Sequence, residues 1–554
     1  MIPMQGKQSR KKGETIEVNT SSSLGYTLSF SVPAEWSEAL DYFKRYRYFF
    51  ETHNPDKAVI EPLRRSWRLE TNRRPLFEGA NNIHIPVLRW MVDALATRLF
   101  AAHFSQTPYV LLRPFNTNLI NRITDLEELL FLYQRLSQRS RYFYPIILDA
   151  VLLGTGVGFK SWKREQGKSY PLTEYVPLEN LIAYPAVRRF EDLMVIGHKE
   201  AYTIKRLSEE FDLPEDLYRR IGIGAMMKEL KPDPEMTAET GWGIVQVNRL
   251  YFWYNGDWFE AVYLPMYGHI LHFAKYPFPI LPYVLYTITP RIGIFGEGIG
   301  RLVEGLERSV VELHNLQLDN LMLTNIPVFK VRKGSSASNI TKFSAGMKIP
   351  VETPSDIDIL VMPQQYGGLV QEQQQLQDLA KMISGVSEIM QGQPPSPYAT
   401  AYAVEATLLE GSVKFKQHFQ LGKEALIRDA ILDLLFIKRY GDPLFETTAL
   451  GKPTPMAFFT EDDIIQQTQF QIEPNTTQIN RETDRQRWLA IRELFYPTLP
   501  PSGKWEIDAH ILKLMGVSKP EVILGEKPSD AVPPTPPPAP VSPPPTATGG
   551  EVGV

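Results

Sequence analysis

The chain has 554 residues, no cysteine, 43% hydrophobic and 22% charged residues and a formal charge of −4. That composition excludes disulfides, thiolate nucleophiles and cysteine-based metal centres, and it argues against a domain whose main task is gripping phosphate backbones. The length predicts three or four domains. No run approaches the roughly 18–20 apolar residues that span a bilayer. The basic start MIPMQGKQSRKKGE has no apolar core behind it, so neither a membrane anchor nor an export signal is expected.

Residues 1–34 carry Lys7, Arg10, Lys11 and Lys12, then Thr20-Ser21-Ser22-Ser23, and read as a flexible basic arm. Trp36, Leu40, Phe43, Tyr46 and Phe50 recur every three or four residues, one stripe of an amphipathic helix. A second helix is expected over 81–104, with Pro86 in its first turn and Val87, Trp90, Met91, Leu95 and Leu99 inward. A third is expected over 121–153. Residues 157–290 change to β-branched and aromatic runs punctuated by turns such as Tyr254-Asn255-Gly256-Asp257, which predicts an α+β block of mostly antiparallel strands.

In 299–326, Ile299, Val303, Leu306, Val310 and Leu313 follow a 4-3-4-3 spacing, while Glu304, Glu307, Arg308, Glu312 and Asp319 lie off that stripe. Pro327 ends this helix. A strand-and-loop insert follows, from Val328 to Val361, then a Gln-rich helix over 369–388, the loop GQPPSPYAT, and one long helix over 401–440 with Gly411 and Gly422 as expected bends. At ~1.5 Å per residue that helix would span roughly 60 Å. Phe470-Gln471-Ile472 reads as a strand, 478–496 and 507–516 as helices, and the chain from Lys527 as a polyproline-prone tail without a core.

Chemical motifs are weak throughout. Gly154-Thr155-Gly156-Val157-Gly158-Phe159-Lys160-Ser161 resembles a phosphate loop, but Phe159 stands where glycine should precede the lysine, so a helix stop and tight turn is the better reading. Gly293, Gly296, Gly298 and Gly300 read as a flexible junction before the 299–326 helix rather than an anion cradle. His269 and His272 fall on opposite strand faces, Thr460 to Asp463 fits a helix cap, and Asp356 with Asp358 reads as a solvated pair on one strand face. No Gly-x-Ser-x-Gly elbow occurs, so no catalytic, cofactor or metal residue is assigned.

The order of elements resembles the portal, or head-to-tail connector, proteins of tailed bacteriophages over roughly residues 35–525. The resemblance rests on Phe295-Gly296-Glu297-Gly298 leading into LVEGLERSVVELHNLQLDNLML, then Ile383-Ser384-Gly385-Val386-Ser387, Gln391-Gly392-Gln393-Pro394-Pro395 and Ala399-Thr400-Ala401, with NNIHIPVLRWMVDALATRLF and AVLLGTGVGFKSW upstream. It implies an α+β subunit with a wing at 35–298, stem helices at 299–326 and 369–388, and a small β clip at 327–368. A tunnel loop at 389–400, a long kinked helix at 401–440, a helical crown at 441–526 and a disordered Pro-rich tail at 527–554 would complete it.

The implied function is a non-enzymatic ring of about twelve subunits at one capsid vertex of the virion, through which double-stranded genomic DNA is packaged and ejected. Implied partners are other copies of the chain, the large terminase subunit, a head-tail adaptor, and the major capsid and scaffolding proteins, with assembly in the host cytoplasm. Gln391, Gln393, Pro394, Pro395, Ser396 and Tyr398 would form an uncharged tunnel loop that lets duplex slide. Lys330, Arg332, Lys333, Lys342 and Lys348 would face docking partners at the clip, and Val303, Leu306, Val310 and Leu313 would pack the stem. The first stem helix, with two arginines against four carboxylates, would give the channel a repulsive sleeve. The alternatives are a phosphate-handling or nucleic-acid-modifying enzyme using the glycines near 154 and 296, or a capsid adaptor without a DNA channel.

Overall fold

The computed structural model describes residues 15–21, 27–53, 55–70, 80–104, 108–165, 167–184, 187–211, 244–265, 269–291, 293–325, 328–335, 338, 351, 353–360, 366–384, 401–474, 492, 500–514 and 524–525. The fold is α+β and divides into two compact units, Met1–Asn475 and Thr476–Val554, fewer than length predicts. Among the described residues no helix is long and apolar enough to cross a membrane.

Strands β1 (Thr15–Ser21) and β2 (Thr27–Pro33) pair antiparallel, which corrects the expectation of a flexible arm for these residues. The alternation in TIEVN and TLSFSV carries that signal. Helix α1 (Ser37–Glu51) buries Leu40, Phe43 and Phe50, while Tyr46 on the expected stripe is exposed. Helix α2 (Lys57–Trp67), capped by the Asp56 carboxylate at the Ala58 amide, is not among the expected helices, although Ile60, Leu63 and Trp67 follow a 3-4 spacing.

Helix α3 (Val87–Phe104) begins just after Pro86 and buries Val87, Met91, Leu95 and Leu99, with Trp90 exposed rather than buried. After β3 (Val110–Pro114), the expected 121–153 helix is two helices, α4 (Ile120–Leu136) and α5 (Arg139–Leu153). The break is at Gln138, whose φ of 46° is left-handed. It turns Arg139 into the interior, where the side chain is buried against two aspartates.

Gly154 ends α5 with φ 100°, and β4 (Thr155–Glu165) follows at once, as the helix-stop reading predicts. Strands β5 (Lys168–Val176) and β11 (Tyr283–Thr287) flank β4 in a three-stranded sheet of order β11-β4-β5. A second sheet has the order β10-β9-β8-β7-β6, all neighbours antiparallel: β6 (Leu181–Ala183), β7 (Val195–Thr203), β8 (Ile244–Tyr254), β9 (Asp257–Leu264) and β10 (His269–Lys275). The β8–β9 turn is the predicted Asn255-Gly256, with φ values of 49° and 93°. Helix α1 covers this sheet, and Phe43, Phe50, Phe252, Phe259 and Phe273 form its aromatic core. His269 is buried and His272 exposed, on either side of a bulge. The short α6 (Ile204–Phe211) closes the segment after β7.

Helix α7 (Ile299–Asn325), the hairpin of β12 (Val328–Val331) with β13 (Ile357–Leu360), and α8 (Tyr366–Ser384) follow in the predicted order. Helix α9 (Ala401–Tyr440) is continuous over 40 residues. Gly422 is a site of close packing rather than the expected bend, because a Cβ there would run into the Tyr286 ring and hydroxyl. Helices α10 (Pro443–Leu450) and α11 (Glu461–Gln466) and strand β14 (Phe470–Pro474) come next. Thr460 and Asp463 form the predicted capping box of α11.

Strand β14 pairs with β3, so the start of the expected crown shares a sheet with the expected wing. In the second unit, α12 (Pro501–Leu514) starts six residues before the predicted 507, and the Trp505 indole donates to the Gly525 carbonyl at 3.0 Å. Apart from Arg492, the predicted 478–496 helix lies outside the described residues, as does the tail from 527.

His103 closes the contact between α3, β11 and α9. Its ring stacks on Phe419 at 4.4 Å, and its Nε2 shares a 2.8 Å hydrogen bond with the Tyr286 hydroxyl. Burial, helped by the Lys423 charge, pulls its pKa down to about 3. The folded chain therefore stays unprotonated there while the unfolded chain takes up a proton below the ordinary histidine pKa. Stability drops by roughly 2 kcal/mol from this group as pH falls from 7 to 5. Comparing urea midpoints of the parent and His103→Gln at both pH values should show the parent losing more.

Candidate functional site

Helix α7 lies against α8 and carries two different faces. Val303 and Val310 are fully buried, whereas Leu306 and Leu313 are only half-buried. Contrary to the expectation that they lie off the packed stripe, Glu307 and Asp319 are buried, and so is Asn315. Asn315 and Asp319 answer backbone amides of the extended segment before α3, and Glu307 answers one in the first turn of α3. Glu307 accepts from the Leu88 amide at 3.0 Å and from the Ser66 hydroxyl, Asn315 from the Ile83 amide at 2.7 Å, and Asp319 from the Asn81 amide at 2.7 Å. The Asn315 amide also donates to the Ile83 carbonyl at 2.8 Å. The Asn81 and Ile83 amides, in a stretch without sheet or helix partners, and the Leu88 amide, in the first turn of α3, are thus satisfied by side chains. Burial raises the Glu307 pKa, opposed by its hydrogen bonds and by His84.

Two of the four carboxylates expected to line a repulsive sleeve are thus engaged inside the subunit. Glu307 and Asp319 turn inward, so the charged side chains left on the outer side of the helix are Arg301, Arg308, Glu304 and Glu312. Arg308 lies 2.9 Å from Glu304, and Arg301 lies 3.7 Å from Glu297.

The opposite face of α7 carries Leu302, Ser309 and Leu316 at intervals of seven, a spacing that lines up one stripe on a helix. Leu302 is 47% and Leu316 37% exposed. On α8, Leu379 and Met382 are 40% and 69% exposed. Beside them, between α3 and α8, is a cavity of about 520 Å³ lined by Ile85, Pro86, Trp90, Met91, Gln377 and Lys381. The hairpin therefore presents an apolar stripe and, next to α8, an apolar groove.

In the clip candidate, Lys330, Arg332 and Lys333 are exposed at the β12–β13 hairpin. Lys330 lies 3.9 Å from Asp358 on the opposite strand and Arg332 3.7 Å from Asp356 in the turn before it, so two of the five clip cations face a carboxylate. Asp356 is not a solvated strand residue as expected: it is buried as the last residue of a capped turn beginning at Thr353. Lys342 and Lys348 lie outside the described residues, as do Gln391, Gln393, Pro394, Pro395, Ser396 and Tyr398 of the tunnel-loop candidate.

The glycine-rich segments serve packing. Lys160 is fully buried and pairs with Asp429 at 2.7 Å and Asp433 at 2.6 Å, both on α9. Arg139 pairs with the same two aspartates, reaching Asp433 at 2.5 Å, and the Thr173 hydroxyl donates to Asp429 at 2.7 Å. Burial pulls the Lys160 pKa down, to about 7, with Arg139 adding to the effect and Asp433 opposing it. Two cations facing two carboxylates are neutral only with the lysine charged, so the ammonium form is the one this geometry holds. Such a lysine has no reach to a phosphate.

Gly298 and Gly300 abut the Leu152 carbonyl, and the Gly296 amide donates to the Thr155 hydroxyl at 2.7 Å. The expected flexible junction is therefore a tight seam between α7 and the end of α5. Sequence reasoning missed the quartet because its members are as much as 294 residues apart. The unusual pair of aspartates at 429 and 433, inside an otherwise apolar helical run, was the available signal. No family model matches the chain, and no curated protein is similar to it at a significant level.

Proposed function

We propose that the chain is the subunit of a tailed-phage portal ring, a non-enzymatic conduit for genomic DNA at one capsid vertex. The reading is supported by the helical hairpin of α7 and α8, whose outward stripe and neighbouring groove leave apolar surface that one copy does not cover. A stripe on one side and a groove on another suit head-to-tail association, which closes into a ring when the rotation per subunit divides the circle. Arg308 of the stem and Lys330 and Arg332 of the clip each lie within 4.0 Å of a carboxylate, which weakens any grip they would have on phosphate. Docking of the terminase motor, an adaptor, and capsid and scaffolding proteins, and passage of DNA past the 389–400 loop, belong to the same proposal.

Leu302→Lys with Leu316→Lys tests it through assembly. Both side chains are already exposed, so the double variant should keep the parent's circular dichroism and melting profile. Light scattering should then show the parent as a large multiple of the 63.3 kDa subunit and the variant as the subunit alone. A variant that assembles like the parent would place the interface elsewhere.

A further inference from the structure

A cleft of about 540 Å³ opens between the two sheets and the C-terminal end of α9, well away from the stem hairpin in sequence and independent of any ring. Its walls include the rings of Trp162, Tyr276 and Tyr440 and the carboxylates Glu174 and Glu260. Tyr276 is 6% exposed, and its hydroxyl has no hydrogen-bond partner among the described residues; the buried Trp162 indole N–H has none either. Arg249 and Tyr251 both donate to Glu260 Oε1, at 2.6 and 2.9 Å, which leaves Oε2 without a partner among the described residues.

The charge around the cleft has a sign. Six carboxylates line it, and Lys160 among its five cations is already neutralised by Asp429 and Asp433, so negative charge exceeds positive by two. Buried polar groups left unpaired cost folding free energy unless something occupies them. Here an acceptor carboxylate oxygen, a hydroxyl that can accept, an indole donor and aromatic rings all belong to residues that line one cleft.

We infer that this cleft binds an arginine side chain presented on a peptide. The planar guanidinium donates to Glu260 Oε2 and to the Tyr276 hydroxyl oxygen while lying against the aromatic wall, and the Trp162 N–H donates to a peptide carbonyl. Arginine suits the site better than lysine because its donors are spread in a plane and can reach two acceptors at once. The cavity has the size of a small-ligand site and takes one such side chain with its flanking peptide groups.

Calorimetric titration of the full chain with N-acetyl-arginine-N-methylamide, agmatine and N-acetyl-glutamate-N-methylamide tests this. The arginine amide should bind, agmatine should bind more weakly because it lacks the carbonyl, and the glutamate amide should not bind. Tyr276→Phe removes only an unpartnered hydroxyl, so the fold is unaffected, and it should weaken the arginine amide by about tenfold. Trp162→Phe should bring the arginine amide down to the affinity of agmatine. No binding of the arginine amide at about 10 mM, tighter binding of the glutamate amide, or unchanged affinity in Tyr276→Phe would each overturn the assignment.

Discussion

Asp433→Ala should cost about 3–5 kcal/mol, because it removes one partner from a buried charge cluster and leaves the rest uncompensated. In the parent, Asp433 takes both the Arg139 guanidinium and the Lys160 ammonium, and Asp429 is the other carboxylate those cations meet. Without Asp433 the pocket holds two cations against one anion with no water to spread the charge. The cluster joins α5, β4, β5 and α9, so its loss loosens the long helix from the sheet it covers. Lys160→Met combined with Asp433→Leu removes one charge of each sign and should recover most of the loss. Urea midpoints of the parent and the two variants give the comparison. Equal midpoints for the parent and Asp433→Ala would show that these groups do not meet inside the fold.

Gly298→Ala should be nearly as damaging, at about 3 kcal/mol, by a different mechanism. Its new Cβ would lie well under 3.0 Å from the Leu152 carbonyl and from the Gly154 amide. Both are backbone atoms, so no side chain can rotate away, and α7 would have to lift off the end of α5. Gly305, seven residues further along and inside α7, meets nothing within 4 Å. There the same substitution only removes a poor helix former and should stabilise by about 0.5–1 kcal/mol. Opposite signs at the two positions are the expected result in thermal melts; two stabilising changes would mean that the seam is not packed as described.

What was legible in the sequence was local. The α7 stripe from Ile299 to Val310, the Asn255-Gly256 hairpin, the Thr460 capping box and the helix stop at Gly154 each depend on residues within a few positions of one another. What was not legible depended on remote partners. Strand β3 is short and finds its mate, β14, near the end of the first unit. Glu307 and Asp319 look like solvated helix positions until the amides of Leu88 and Asn81 are placed beside them. Lys160 follows a glycine-rich run that suggests phosphate, and only the fold reveals the two aspartates that hold it. The same limit applied to glycine: Gly298 and Gly422 read as freedom in the chain, yet each marks a place where another part of the molecule comes too close for a side chain.

Negative-stain electron microscopy of the purified full chain is the most direct measurement of the portal reading. The account predicts closed rings with a central hole wide enough for duplex DNA, present across a range of salt because the contacts proposed on α7 and α8 are apolar. Single subunits at every protein and salt concentration, or compact dimers without a hole, would contradict it.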